Sequence, residues 1–490
     1  MVIDSINIYQ KLPIVKTFRY RAAFLNLVLS LSLYLIVIAL DLQNSFALMR
    51  CYGLYCIIFY GLFIWSEFRL PAINIVAIYL LACFLRLALP IFVLSGSALR
   101  GEALLYDRNV ITDFAFETSL LMSIYYMSFI LIVSIFSGKT TLCIDVRSYF
   151  KKRYFLKYVI SIYSIVFLVR LFPILTTFSG TITQLLTSLN YVVLLLLAVY
   201  CAYNPDEKKS YRLLILIVIV EVAYFAIWGY YKGPIMYVLL FFVLYYFLKC
   251  RLHGERVINK KFIIISLFAL SFFAFFVYPY ISLKRASIEL DNATGDVTKT
   301  MSNTEILKNL YSVGLKELDF DELTSFFFSR ENAVFANAFF YMSAKKSGFH
   351  SELINNNLRL LTPSFLKKEQ ITETGQLAAN YAWGGDFQYS GVTTSEYCGI
   401  VGGAYFWGGY FAIFLAIILN SLTAIGFIKY MARHIDFPVC LLLFVIFLIN
   451  ATTAFEEVHD GGFMQDIYYL LLLLFSHVLR LVFRGRLKWK

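Results

Sequence analysis

The sequence predicts an all-α polytopic membrane protein of about twelve transmembrane helices, with both termini cytoplasmic and one large helical extracytoplasmic loop. Three observations lead there. Of 490 residues, 60% are hydrophobic and 15% charged, whereas soluble domains run at about a quarter charged. A chain this apolar cannot cover itself with polar surface, which excludes a soluble enzyme. Apolar stretches of spanning length recur along it, and the basic residues between them alternate in density.

The apolar stretches fall near 23–40, 46–64, 72–93, 118–137, 158–178, 186–203, 213–230, 234–249, 262–280, 403–428, 437–453 and 467–483. Lys11, Lys16, Arg19 and Arg21 precede the first, and Lys139, Arg147, Lys151, Lys152, Arg153 and Lys157 lie between the fourth and fifth. Lys249, Arg251, Arg256, Lys260 and Lys261 follow the eighth, while Arg484, Arg486, Lys488 and Lys490 close the chain. The alternate short loops carry only Arg50, Arg100, Arg108 and Lys232. Basic loops stay in the cytoplasm, so the termini are expected inside and segment 281–402 outside. The net charge of +12 is then mostly a topology signal, and no nucleic-acid partner is expected. The chain divides into 1–280 with nine spans, the loop 281–402, and 403–490 with three spans. The first 22 residues are polar and basic, and no small-residue cleavage site follows the first apolar run, so the first span is expected to be retained. No P-loop, HExxH, nucleophile elbow, CxxC pair or dinucleotide fingerprint occurs.

A loop of about 120 residues is expected to carry structure of its own. Ser302-Asn-Thr-Glu305 reads as a capping box, with Ile306, Leu310 and Val313 on one face behind it. A second helix is expected from near Asp321 to Lys345-Lys346, with Gly348 as its C-cap. Its many aromatics place it on the membrane or against the helical bundle. A third, from Ser351 to Leu361, stops at Thr362-Pro363. Asp319-Phe-Asp321 spells a D-x-D, but acidic residues are favoured at the helix start that follows, and that is the reading taken. Only Cys398 of the eight cysteines lies in this segment, which leaves no disulfide framework there.

Ionisable groups inside spans are costly and mark protein interiors or wet cavities. Arg86, Arg170 and Glu221 stand within apolar runs. Arg86 and Arg170 each sit in the outer half of an outward-running span, near Pro90 and Pro173, and Lys232 occupies a short outer turn. Three cations at one depth suit an anion such as a lipid phosphate. The outer segment adds Lys284-Arg285 where the chain leaves the membrane, Arg330 in the aromatic helix, Arg359 before Pro363, and Lys367-Lys368. Glu396, just before the tenth span, is a carboxylate at the outer interface. Glu456, Glu457, His459 and Asp460 cluster in a glycine-rich turn that makes a poor metal site, and no metal is assigned.

Three of these stretches resemble motifs of the bacterial oligosaccharide repeat-unit polymerases, the Wzy-type O-antigen and capsule polymerases. WGYYKGPIMYVLLFFVLYYFLK resembles a basic-residue–glycine turn opening a long span, with Lys232-Gly233 where the family has arginine-glycine. LRLLTPSFLKKE resembles an arginine, proline, lysine pattern, carried by Arg359, Pro363 and Lys367 or Lys368. TTSEYCGIVGGAYFWGG resembles a glutamate, aromatic, glycine lead into the next span, carried by Glu396, Tyr397 and Gly402; Cys398-Gly399 stands where the family has asparagine-phenylalanine-glycine. The likeness covers nearly the full length.

The resemblance implies a GT-C-like integral membrane glycosyltransferase of the bacterial cytoplasmic (inner) membrane, with its active site facing the periplasm. Donor and acceptor would be undecaprenyl-pyrophosphate-linked glycans in the outer leaflet, among membrane lipids. A polysaccharide chain-length regulator is the protein partner this implies. Catalytic roles fall to Glu396, Arg359 and Arg285, and pyrophosphate or substrate binding to Arg170, Lys232, Arg86, Lys367 and Arg330. Arginines can neutralise the leaving group without a metal, and no cofactor is implied. Two other readings share the layout. An O-antigen ligase would use the same donor and a loop histidine, for which the segment offers His350 alone. A lipid-linked oligosaccharide flippase would place charges at the midplane between short loops, unlike this chain.

Overall fold

The computed structural model describes residues 5–43, 45–67, 73–99, 108–136, 143–144, 155–171, 204–225, 333–352 and 399–434, with scattered positions in 190–202, 235–280 and 467–481. These residues are almost wholly helical. The helices are α1 (Ser5–Ala39), α2 (Phe46–Glu67), α3 (Ile75–Cys83), α4 (Leu89–Leu99), α5 (Arg108–Phe136), α6 (Phe155–Leu171), α7 (Lys208–Tyr224), α8 (Ala333–Ser347) and α9 (Ile400–His434). Two-residue strands β1 (Ile73–Asn74) and β2 (Cys143–Ile144) pair antiparallel, Ile73 opposite Ile144. Five helical stretches among the described residues are long and apolar enough to cross a membrane: Phe18–Ala39, Phe46–Glu67, Tyr79–Gly96, Phe114–Phe136 and Ile400–Tyr430. The protein is a helical membrane protein. Spans 1 to 4 and 10 of the sequence reading coincide with these five; spans 8, 9 and 11 fall largely or wholly outside the described residues, and spans 6 and 12 are about half described.

The chain forms two compact units. One comprises Asp145–Phe320 with Pro438–Ile446 and contains α6 and α7. The other comprises Val2–Ile144, Asp321–Phe437 and Phe447–Lys490, and contains the remaining helices. In this second unit α5 is the central element, packed against α1, α8 and α9, while α2 packs on α3 and α4. Lipid tails are as apolar as leucine, so polar links and close approach hold such helices together. Ser30 Oγ lies 2.9 Å from the Tyr52 hydroxyl, which donates to Ser123 Oγ at 2.7 Å, tying α1, α2 and α5. One turn or more away, the Tyr20 hydroxyl donates to the Ser134 carbonyl at 2.7 Å. The pairing order shows α1 antiparallel to α5. Helices α2 and α4 approach closely at Gly53, where a Cβ would stand 2.9 Å from the Phe92 backbone nitrogen.

Local irregularities have identifiable causes. Helix α1 ends in a Schellman motif: Asp41 adopts φ 51°, and Leu42 N–H donates to Val37 O at 2.9 Å. Residues Phe84–Ala88 form a π-turn, with Leu89 N–H donating to Phe84 O. Pro90 follows directly, has no N–H for the Arg86 carbonyl and would clash with it in a regular helix; the wider turn accommodates the ring. Helix α9 breaks at Gly408 and Gly409, the latter at φ +66°.

Candidate functional site

Glu117, near the start of α5, is buried in the second unit. Its Oε1 accepts from the Tyr341 hydroxyl of α8 at 2.5 Å, and Lys345 Nζ, one turn further along α8, lies 3.3 and 3.2 Å from Oε1 and Oε2. Tyr341 and Tyr410 hydroxyls are 2.8 Å apart, and Tyr34 donates to Tyr410 at 2.8 Å. Tyr341 spends its proton on the carboxylate, so Tyr410 is the donor to Tyr341. The hydroxyls therefore form a network that converges on Glu117: Tyr410 donates to Tyr341 and Tyr341 to Glu117, while Tyr34 reaches both Tyr410 and, at 3.4 Å, Glu117 Oε1. Burial, and then the Glu117 charge, holds the Tyr341 phenol above its ordinary range, so it keeps the proton it donates. Four helices (α1, α5, α8, α9) meet in this cluster.

Aromatic faces complete it. The Lys345 ammonium lies 4.9 Å from the Phe114 ring centre and 4.7 Å from that of Tyr341, which supplements the ion pair electrostatically. Tyr405 sits 4.1 Å from Tyr341, centre to centre, and 5.1 Å from Tyr410. The Lys345 side chain is 32% exposed whereas that of Glu117 is 1% exposed, so the carboxylate is enclosed while the cation, like Tyr410, reaches outward. With phenol and ammonium donors on its oxygens, Glu117 is suited to act as a counter-ion that seats α8 in the bundle.

The end of α8 is also tied to α9. Gly348, at φ +90°, closes the helix with its N–H on Ala344 O at 3.0 Å. The chain then crosses the α9 break. His350 N–H donates to Phe406 O at 2.9 Å, a carbonyl beside the disrupted ladder. The Phe349 ring fills the space over Gly409, where a Cβ would come within 2.8 Å of it. The His350 ring lies 4.7 Å from that of Phe406 and its Nδ1 is 3.1 Å from Glu352 Oε1.

Of the residues that the sequence singles out, Arg86 is on the π-turn, within electrostatic reach of the buried Tyr126. Arg170 is the penultimate residue of α6, in the other compact unit. Lys232, Arg285, Arg330, Arg359, Lys367 and Glu396 lie outside the described residues. Glu221, the third intraspan charge, is buried in α7 and accepts from Asn190 Nδ2 at 2.9 Å, the paired interior group that a helical bundle demands. The aromatic helix lies against the bundle as expected: α8 packs on α5 and α9, and Gly348 caps it; residues 321–332, expected to begin it, are outside the described residues.

Sequence reasoning missed the Glu117 cluster. The fourth apolar run was set to begin at 118, so Glu117 counted as a loop residue, and Lys345 as a helix end. The available signal was Phe114-Ala-Phe116 immediately before Glu117, which continues the apolar face one turn upstream. Compared with family models, with curated proteins and with solved structures, the chain gives no match.

Proposed function

We propose that this membrane protein polymerises oligosaccharide repeat units carried on undecaprenyl pyrophosphate, at the outer face of a bacterial cytoplasmic membrane. The observation that carries the reading is the order of three sequence motifs, Lys232-Gly233, then Arg359 with Pro363 and Lys367, then Glu396 leading into α9, in segments that the charge asymmetry assigns to one side of the membrane. A polar cluster of α1, α5, α8 and α9 adds support. Helix α8 belongs to the long segment between spans, yet it is buried in the bundle through Tyr341 and Lys345. The chain between α8 and α9 thus starts and returns on one packed pair of helices, an arrangement that suits a catalytic segment held over a lipid-embedded substrate.

In this reaction an acceptor sugar hydroxyl attacks the anomeric carbon of the donor glycan. The bond from that carbon to the pyrophosphate oxygen breaks, and undecaprenyl pyrophosphate leaves with the electron pair. Glu396 takes the hydroxyl proton. Arg170, Lys232, Arg285 and Arg359 neutralise the charge that develops on the leaving group, and Arg86, Arg330 and Lys367 bind the lipid-linked substrates. The product would feed lipopolysaccharide or capsule.

The test is purified protein incubated with a synthetic lipid-linked repeat unit, read as a product ladder by gel or mass spectrometry. Wild type should give a ladder that collapses in R170A, R359A and E396Q, each shown to insert and fold. A well-folded wild type that makes no ladder sinks the polymerase reading in favour of a ligase or transporter. A ladder indifferent to all three substitutions keeps the reaction and discards these residues.

A further inference from the structure

Helix α9 changes surroundings at its break. Before Gly408 it is held by protein: Ile400–Phe406 are buried, and the Asn337 side-chain oxygen of α8 caps the first turn, accepting from Val401 N–H at 3.0 Å and Gly402 N–H at 2.6 Å. After the break Tyr410, Phe411, Phe414, Leu422 and Lys429 are exposed, at spacings that fall on one helical face. From Tyr410 to Lys429 this face runs about 28 Å, close to the roughly 30 Å of a bilayer's hydrocarbon core. An aromatic ring marks one end and a cation the other, as at membrane interfaces. A face covered by protein requires neither that length nor those ends.

At the Tyr410 end, lysines of α8 stand beside the face. Lys345 reaches it through Tyr341, whose ring centre is 4.7 Å from the ammonium and whose hydroxyl is 2.8 Å from that of Tyr410. Glu117 takes the inner side of this ammonium, while the outer side is open. Lys346 is exposed as well and enters no ion pair among the described residues. The exposed Glu352 of the same corner is engaged by His350, 3.1 Å away. Phe349, exposed and lying over Gly409, extends the apolar face towards the lysines. Helix α1 also exposes an apolar face, but it ends at Leu40 and the exposed Asp41, an acidic end that repels phosphate.

We propose that the α8–α9 corner binds a phospholipid. Its phosphate lies against Lys345 and Lys346, and an acyl chain runs down α9 past Phe411 and Phe414. Ammonium and phosphate meet in charge-assisted hydrogen bonds, and the chain finds a face as apolar as itself. This site does not depend on the polymerase reading.

Photolabelling of the full-length protein tests it, in nanodiscs of phosphatidylcholine with a minor fraction of phosphatidylglycerol that carries a diazirine in one acyl chain. Modified peptides are read by mass spectrometry. Label on the Phe411–Leu422 stretch should exceed that on the exposed face of α1 by about fivefold or more, since one lysine at a lipid surface contributes about that factor. K346Q leaves the Lys345–Glu117 pair in place and should cut the excess about threefold to fivefold. K345Q/K346Q should abolish it, and K345R/K346R should keep it, because guanidinium also binds phosphate. Equal label on α1 and α9 overturns the proposal, as does an excess that K346Q leaves unchanged. Absence of label on α9 overturns it too, because protein, such as a second copy of the chain, then covers the face. Competition identifies the source of the phosphate. Excess unlabelled phosphatidylglycerol should displace the label and inorganic phosphate should not. Displacement by inorganic phosphate, or by undecaprenyl phosphate alone, overturns the assignment to phospholipid.

Discussion

Two ion pairs, one buried and one partly exposed, lie at opposite ends of the α1–α5 bundle, and they are built differently. At one end Arg19 of α1 grips Glu67 of α2 with two parallel bonds, Nε to Oε1 at 2.7 Å and Nη2 to Oε2 at 2.6 Å, both residues buried. At the other, Lys345 meets Glu117 at 3.2 Å, partly exposed and supplemented by three phenols. Tyr34 follows Arg19 by fifteen residues on α1, so the ends are separated by about 22 Å. The first pair joins neighbouring helices through a planar fork that permits one geometry. The second joins a helix from a distant part of the chain through a point charge and rotatable hydroxyls. A staple between adjacent spans can be rigid and dry, whereas the seat of an inserted helix is adjustable and half open.

This contrast predicts unequal costs. Removing one partner of the dry pair, as in R19A or E67A, should cost about 3–5 kcal/mol, because the other charge stays buried without its counter-ion. R19M/E67L together should restore most of that loss. Equilibrium unfolding in mixed micelles measures both, and equal instability of the double and single variants would mean the pair is not the cause. At the open end E117Q should cost about 1–3 kcal/mol, since its amide oxygen still accepts from Tyr341. K345M should cost about 1–3 kcal/mol, because the enclosed Glu117 loses its counter-ion but keeps the Tyr341 hydrogen bond. A K345M loss as large as that of R19A would erase the distinction between the two ends. The glycines give the finest comparison. G402A pushes a methyl into the Asn337 backbone and should cost about 1–3 kcal/mol. G61A in α2 meets nothing within 4 Å and should be neutral or stabilising by about 0.5–1 kcal/mol.

Much of the helical framework was legible before any coordinates. The apolar run at 46–64 became α2, and Gly348 closes the aromatic helix where a left-handed residue was expected. Periodicity and turn chemistry act over a few residues, and so they show in the sequence. The Glu117 site was not legible, because its members come from residues 34, 117, 341, 345 and 410 and no local pattern links them. Asn337 is hidden for the same reason. It reads as one polar residue in an aromatic helix, and only the approach of Gly399 and Gly402 makes it a cap.

Composition and hydropathy by themselves determined that this chain is a helical membrane protein, because a lipid environment requires backbone polar groups to be satisfied within each span. They also determined where several of those spans run. Which polar side chains meet was decided by tertiary packing. Arg19 found Glu67, and Lys345 found Glu117, through helices brought together from separate parts of the chain. A buried charge needs a partner, but the requirement does not say which one; geometry does.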